Sequence, residues 1–371
     1  MGHFLAAPAA QTFQRNADDN ACAAINLRLG GGLAMTGRTI NDPPPDGAGH
    51  IPVMLREVLD LLHNHLPART KPVIVDGTFG AGGYSRAIAD AIPARVIGFD
   101  QDPEMIERAQ SWLPATPGIE LIHARFSSMI DTLAARDLNE IDALILDLGV
   151  SSFVLDQAER GFSFQADGPL DMRMGQSGPT AADLVNGLPE NELADVFYQL
   201  GDERASRRIA RAIVKARTVD PIQTTRELAS IVAKAMPGRT RHDKIHPATR
   251  TFQALRIAVN DELGELARAL DAARVLLSDG GLLIVVSFHS GEDRIAKKFL
   301  DEQSGRQARG SRHLPVETTG AKAAAFELIT RKPLTAQADE TAHNPRARSA
   351  KLRAARRIRV DLSEPMQREE S

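Results

Sequence analysis

The segment that most restricts what this chain can fold into is 72–91. A short apolar run, Pro72-Val-Ile-Val-Asp76, ends in an acid and passes directly into Gly77-Thr-Phe-Gly-Ala-Gly-Gly83, after which a helix is expected over 84–91. Strand, glycine-rich turn and helix in that order make a nucleotide-type site. Glycines let the backbone approach a ligand, and the start of the helix offers unpaired N–H groups. The outline then repeats. Val96-Ile-Gly-Phe-Asp100 is a second strand ending in an acid, and Asp102 with Pro103 opens a helix running to about 113. Residues 119–123 form a third strand, with Ser127 placed to cap the helix after it. Ala143-Leu-Ile-Leu-Asp147 is a fourth, apolar throughout as a strand covered on both faces must be. Upstream, Val53, Leu55, Val58, Leu59, Leu62 and Leu66 recur at helical spacing.

Alternation stops after Asp147. Residues 154–250 contain no convincing strand and read as loops and helices, over 190–200, 203–218 and 225–236. Thr224 and Glu227 stand at capping-box spacing for the last of these. Alternation resumes with a helix over 252–277, a strand at 282–286, a helix over 291–302 and a strand at 326–330. The expected fold is a doubly wound α/β domain interrupted by an all-helical insertion, which accommodates 371 residues better than one uninterrupted domain. The expected division is a disordered extension over 1–48, a core over 49–153 and 251–335, an insertion over 154–250 and a basic tail over 336–371. The extension holds Gly30-Gly-Gly32 and Pro43-Pro-Pro45, and Met35 is an alternative start that would leave Cys22 outside the working protein.

Composition removes other classes. With 43% hydrophobic and 25% charged residues the chain is an ordinary globular mix. No apolar run approaches the roughly 18 residues of a membrane span, and no apolar stretch follows a basic start as in a signal peptide, so a cytoplasmic location is expected. A single cysteine rules out a disulfide framework or a multi-cysteine zinc site, and the visible residues call for no metal.

The glycine pattern narrows the ligand. From Gly80 the series runs Gly80, Gly82 and then Ser85, which breaks the G-x-G-x-x-G of a dinucleotide fold and with it a nicotinamide dehydrogenase. The turn suits an adenosyl ligand without a pyrophosphate, such as S-adenosylmethionine; its plainer reading is a tight turn and nothing more. Asp76, Asp100 and Asp147 all fall at the carboxyl ends of strands, where ligands of open α/β sheets sit, and Asp100 is where an acid binds ribose hydroxyls. A carboxylate at Asp147 can accept a hydrogen bond from an exocyclic amino group and hold its nitrogen toward a methyl donor. The amino nitrogen of cytosine is a poor nucleophile, so positioning and help with the departing proton are what an enzyme must supply. The plainer reading of Asp147 is a turn cap.

Several further stretches join these: His50-Ile-Pro-Val-Met-Leu, Asp147-Leu-Gly-Val-Ser-Ser, Ala158-Glu-Arg-Gly-Phe-Ser-Phe, Gly168-Pro-Leu-Asp-Met-Arg-Met, His246-Pro-Ala-Thr-Arg-Thr-Phe, Ser287-Phe-His-Ser and Asn344-Pro-Arg-Ala-Arg-Ser. In that order, over about 50–357, the chain closely resembles the bacterial 16S rRNA (cytosine-N4)-methyltransferase family. The resemblance implies a Rossmann-like class I methyltransferase core, S-adenosylmethionine as cofactor, and a decoding-centre cytidine of the small ribosomal subunit as substrate. It implies that Gly82, Gly83 and Tyr84 contact the cofactor, that Asp100 takes the ribose, that Phe126 lies near the adenine and that Asp147 faces the methyl-transfer region. Two positions depart from the family. Val154 stands where Gln is common and cannot make that hydrogen bond, and Tyr84 stands where His is common. The resemblance also implies a loop near the substrate entrance at Asp167, Asp171 and Arg173; a local Asp–Arg bridge fits the spacing equally. His289 is more often structural than catalytic in such a place.

Charge at first argues against a nucleic-acid partner, since 45 basic and 48 acidic residues leave a net −3. The distribution reverses this. Segments 204–217, 234–250 and 346–359 carry +6, +4 and +7, so an acidic remainder of −20 is averaged with a basic insertion and tail. Arg204, Arg208, Arg211 and Lys215 recur at helical spacing; with Arg250, Arg346 and Arg348 they are the candidate RNA contacts. A solvated helix face, and for Arg250 a tie between the inserted helices and the core, are the alternatives. With 16 aromatics a broad stacking platform is not expected, but one flipped cytidine needs only a wall or two, for which Phe162, Phe164 and Phe288 are candidates. Two rival functions remain at this point. A DNA amino-methyltransferase would carry an Asp/Asn-Pro-Pro-aromatic motif where Asp147-Leu-Gly-Val stands. A non-catalytic ribosome assembly factor would fit a decayed cofactor site.

Overall fold

The computed structural model describes residues 52–236, 246–306 and 323–358. The expected extension over 1–48, with Cys22 and Met35, and the basic residues Arg239, Arg241, Lys244 and Arg359 lie outside the described residues. In chain order the elements are α1 (Leu55–His65), β1 (Val73–Asp76), α2 (Gly83–Ala91), β2 (Arg95–Asp100), α3 (Pro103–Gln110), β3 (Ile119–His123), α4 (Met129–Ala134) and β4 (Ile141–Asp147). The insertion follows as α5 (Ser152–Asp156), α6 (Ala181–Gly187), α7 (Glu190–Gly201), α8 (Ser206–Arg217), α9 (Thr225–Ala235) and α10 (Thr249–Asn260). The chain returns through α11 (Glu262–Leu276), β5 (Leu277–Ser287), α12 (Ser290–Gln303), β6 (Phe326–Leu328), β7 (Leu334–Thr335), α13 (Ala338–His343) and β8 (Lys351–Arg357).

The sheet runs β3-β2-β1-β4-β5-β8-β6, with β7 on the edge of β8. β1 to β5 are parallel, and β8 is antiparallel to both β5 and β6. The two-residue alternation of a strand divides the core between two faces. Ile74, Val96, Ala143, Ile145 and Ile284 pack with α1 and α2. Val75, Ile97, Leu144, Leu146 and Val285 pack with α4, α11 and α12. This doubly wound arrangement is the one the alternation of apolar runs implied. The caps agree as well: Asp102 Oδ1 accepts the Glu104 N–H at 3.1 Å, and Thr224 and Glu227 form a capping box. Ser127 does not cap α4; its N–H turns toward Glu265 Oε2 at 3.4 Å.

The insertion has a hydrophobic cluster of its own, built on Leu193, Phe197, Ile209, Ile213, Leu228 and Val232. Two boundaries differ from expectation. A single helix over 252–277 was expected, with the core resuming at 251. The chain breaks instead at Asp261, in the left-handed region at φ 52, a conformation Asp tolerates better than most residues. Before the break, Phe252, Ala254 and Leu255 pack into the insertion; after it, Leu266, Ala269 and Leu270 pack on the sheet. The second difference is larger. Residues 351–357 are not a tail but β8, inside the sheet. Lys and Arg at four of its seven positions hide the strand pattern, and most of them are neutralised in place. Asp293 pairs with Lys351 Nζ at 2.9 Å and with Arg353 Nε at 2.7 Å, and Glu327 pairs with Arg356 at 2.7 Å. Leu352, Ala354 and Ala355 are fully buried. Among the described residues no helix is long and apolar enough to cross a membrane.

Candidate active site

Three acids end three neighbouring parallel strands: Asp76 on β1, Asp100 on β2 and Asp147 on β4. The turn between β1 and α2 threads among them. Asp76 is fully buried; its Oδ1 accepts the Thr78 N–H at 3.2 Å and its Oδ2 the Ser85 hydroxyl at 2.7 Å. Asp100 accepts the Gly80 N–H and the Asp102 N–H, each at 2.8 Å, so it fixes the turn to the start of α3. Burial raises the carboxyls of Asp76 and Asp100 to about 6, against the pull of these hydrogen bonds in the other direction.

Asp147 differs from the other two. Its backbone N–H donates to Thr78 Oγ1 at 2.7 Å, which ties the end of β4 to the glycine turn. Its carboxylate Oδ1 is buried with no hydrogen-bond partner among the described residues. Burial first, then the negative charges of Asp76 and Glu292, push its proton affinity well above the usual carboxylate range. The turn-cap reading therefore fails for this oxygen, because no backbone N–H occupies it. A buried acceptor left open at a strand end is a place for a donor from outside the chain.

The turn needs its glycines. Gly82 sits in the left-handed region at φ 77, and a Cβ there would stand 2.6 Å from the Trp112 ring. The N–H groups of Gly83 and Tyr84, in the first turn of α2, have no partner among the described residues. The Tyr84 side chain points away from this opening: it is buried, and its hydroxyl donates to the Val53 carbonyl oxygen. Only its backbone is offered to a ligand. Phe126 is half-buried against Gly77, beside the turn.

Beyond β5, Glu292 Oε2 accepts the N–H groups of Phe288 and His289 at 2.7 and 3.1 Å. His289 Nδ1 accepts the Gly291 N–H at 3.1 Å, so the histidine caps α12 and is structural. Burial raises the Glu292 carboxyl, but the hydrogen bond and charge of His289 and the charge of Arg256 outweigh it and leave it lowered. Glu262, His289 and Glu292 bring potential ligand atoms within 4.8 Å of one another. Arg256, however, holds both oxygens of Glu262 at 2.7 Å, so the group is an ion-paired knot.

Arg207, Arg208 and Lys215 on α8, and Arg204 in the turn just before it, are exposed with no ion-pair partner among the described residues, and Arg211 reaches Glu190 at 3.5 Å while staying mostly in solvent. Arg250 donates to the Asp202 carbonyl at 3.1 Å, so it ties α10 to the end of α7, inside the insertion. Of the basic residues near the end of the sequence, Arg348 is exposed, and Arg346 is exposed with Asp156 at 3.8 Å. Arg173 forks onto Asp171 at 2.8 Å through both Nε and Nη2, the local bridge that the spacing allowed. Phe162 is buried in the insertion cluster, while Phe164 packs against His246 in a tilted arrangement and against Phe252 edge to face, with ring centroids 4.6 and 4.8 Å away. Phe288, partly buried near Gly149, is the wall candidate nearest the strand ends. Val154, also buried in the insertion cluster, makes no polar contact through its side chain. Sequence reasoning passed over Thr78, Ser85, Glu292 and Arg160. Ser85 was visible only as the residue that broke the glycine series; its hydroxyl on Asp76 accounts for the break.

Residues 47–358 match the model of the MraW methylase family. The ribosomal RNA small subunit methyltransferase H of Bradyrhizobium diazoefficiens is 54% identical over 311 residues, 84% of this chain and 92% of that protein. The protein of the same name from Paramagnetospirillum magneticum is 53% identical over 309 residues, 83% of this chain and 95% of the other. Among solved structures, a putative rRNA-methylase from Clostridium thermocellum covers 83% of this chain and all of its own, at 14% identity and a TM-score of 0.39.

Proposed function

The chain belongs to the MraW methylase family, and on that premise we propose that it is an S-adenosylmethionine-dependent methyltransferase acting in the cytoplasm on the N4 amino group of a decoding-centre cytidine in 16S rRNA. The observation that carries the reading is the open, buried Oδ1 of Asp147 at the end of β4, beside the glycine turn. The residues fit the cofactor on chemical grounds. Three acids whose burial disfavours their charged form gain from a cationic ligand, and a sulfonium is one. Asp100 has spare acceptor capacity for ribose hydroxyls, since its two backbone bonds use half the lone-pair sites of a carboxylate. The N–H groups of Gly83 and Tyr84, without partners among the described residues, suit the carboxylate of the amino-acid portion. S-adenosylmethionine supplies an electrophilic methyl group on positively charged sulfur.

The remaining work falls to this chain. Asp147 Oδ1 accepts one N–H of the cytidine amino group, which turns the nitrogen toward the methyl donor and gives the departing proton a place to go. Phe288 flanks the base. The exposed arginines of α8 hold the RNA backbone, with Arg346 and Arg348 as further contacts; such phosphate contacts give affinity and register. The relatives' names, with their reference to the small ribosomal subunit, support the substrate class. The test is to incubate the protein with tritiated S-adenosylmethionine and undermethylated small subunits, then map the labelled nucleoside. Label on the N4 of one cytidine is the expected result. Label on another nucleoside, or no binding of cofactor at millimolar concentration in calorimetry, overturns the reading.

A further inference from the structure

The chain leaves the sheet after β4 and returns through α11, and polar contacts between core and insertion, beside the apolar seat of Met105 in the insertion cluster, fix how the insertion sits. The densest seam surrounds Arg160. Its Nη2 donates to Asp102 Oδ2 at 2.8 Å and its Nη1 to Glu104 Oε2 at 2.9 Å, both at the start of α3. The same Nη2 faces the carbonyl oxygens of Arg173 and Met174 at 3.0 and 3.2 Å. Beyond them Asn260, which ends α10, accepts the Met174 N–H and donates to the Met172 carbonyl, each at 2.8 Å. Inward, the Asp102 N–H is one of the two that hold Asp100, and Gly80 of the cofactor turn gives the other. One unbroken run of hydrogen bonds therefore leads from the glycine turn through Asp100, Asp102, Arg160 and residues 172–174 to the end of an insertion helix.

The loop on this seam is held against its own preferences. Met172 is fully buried at φ 64, a left-handed conformation that a long side chain keeps only where its surroundings impose it. Its N–H bonds to the Arg160 carbonyl at 3.0 Å. Gly161, at φ 71, lets the loop fold back so closely that a Cβ would stand 2.2 Å from the Pro169 oxygen. The planar guanidinium, only 18% exposed, reaches four acceptors on separate stretches of chain; an ammonium has three donors and no fork.

We propose that Arg160 is a positioning residue for methyl transfer: it fixes the insertion that carries the RNA against the Asp100 side of the cofactor site, and so sets the separation of the two reactants. The proposal rests on the methyltransferase reading above. A misplacement of about 1 Å between reacting groups costs on the order of 10² in rate, so opening this latch acts on turnover more than on either binding step.

The test uses the full chain with undermethylated small subunits and tritiated S-adenosylmethionine. R160K, R160A, N260A and the R160K/N260A double variant are compared for kcat, both KM values, calorimetric affinity for S-adenosylhomocysteine, and Tm. In R160K, kcat is expected to fall roughly 10- to 100-fold, while both KM values and the calorimetric affinity stay within about threefold and the Tm within a few degrees. N260A is expected to show the same split, and the double variant to be no slower than the slower single, because both open one latch. A kcat for R160K within twofold of the parent overturns the proposal, as does a loss that tracks the unfolded fraction or losses that multiply in the double variant. If R160A does not fold, R160K and N260A still decide. A parent protein that binds no cofactor overturns the functional reading instead, whatever the Arg160 variants do.

Discussion

At the carboxyl edge of the sheet, Asp76, Asp100 and Asp147 are withdrawn from water, and burial moves each toward its neutral form. On the outer face of α8 and in the turn before it, Arg204, Arg207, Arg208 and Lys215 stand in solvent with no acid paired to them among the described residues. The first arrangement costs folding free energy and leaves groups poised to respond to a cation or a donor. The second costs the fold almost nothing and leaves its cations available to a polyanion outside it. Chemistry and stability should therefore change together at the sheet edge, while only affinity should change on the helix.

The largest expected effect is at the sheet edge. Asp147→Asn keeps the shape but removes the proton acceptor, and methyl transfer should fall by about 10²- to 10⁴-fold with RNA binding unchanged; a full rate would end the proposed role. On the other side, replacing Arg204, Arg208, Arg211 and Lys215 together by Gln should weaken RNA binding and flatten its salt dependence by roughly 3 in log–log slope if all four meet phosphate. The melting temperature should barely move, since each exposed substitution is worth about ±0.5 kcal/mol or less. An unchanged slope would make α8 an ordinary solvated face.

The effect of pH sharpens the same contrast. Asp76 and Asp100 titrate near 6 in the folded protein and near 4 when unfolded. Their contribution to stability is thus complete below about pH 4 and is lost as pH rises through 6. Asp76→Asn should remove part of that slope in melting curves taken from pH 4 to 7. Cofactor affinity should run the opposite way, falling by roughly tenfold per pH unit below 6 for each linked proton, because a cation prefers the carboxylates ionised. Calorimetry at pH 5 and 7 measures it. The smallest effect on methyl transfer is expected for Val154→Gln. It buries an amide in the insertion cluster, at a cost of about 1–3 kcal/mol unless the amide finds partners. A rise in cofactor affinity instead would show that the amide reaches the site.

The parallel strands were legible because each is a short apolar run ending in an acid, a pattern that burial on both faces imposes locally. Asp147 was legible for the same reason, though its open oxygen was not, since that depends on Thr78 and Glu292 arriving from elsewhere. β8 was hidden because Lys351, Arg353, Arg356 and Arg357 look solvent-bound until Asp293, Glu327 and the Ala325 carbonyl meet them across 29 to 60 residues. The break at Asp261 was hidden because apolar periodicity continues through it while the partner changes. Arg160 was hidden because four acceptors on two distant stretches of chain give no local signal.

The position of β8 bears on how the molecule comes into being. It is the last strand in the sequence, yet it lies between β5 and β6. During vectorial synthesis every residue proposed for the chemistry is made first, while β5 waits with its 282–287 edge uncovered. Such an edge invites pairing with other chains. A message interrupted before codon 351 would yield a polypeptide with its full catalytic complement and no closed sheet to hold it, a substrate for proteases rather than a slower enzyme.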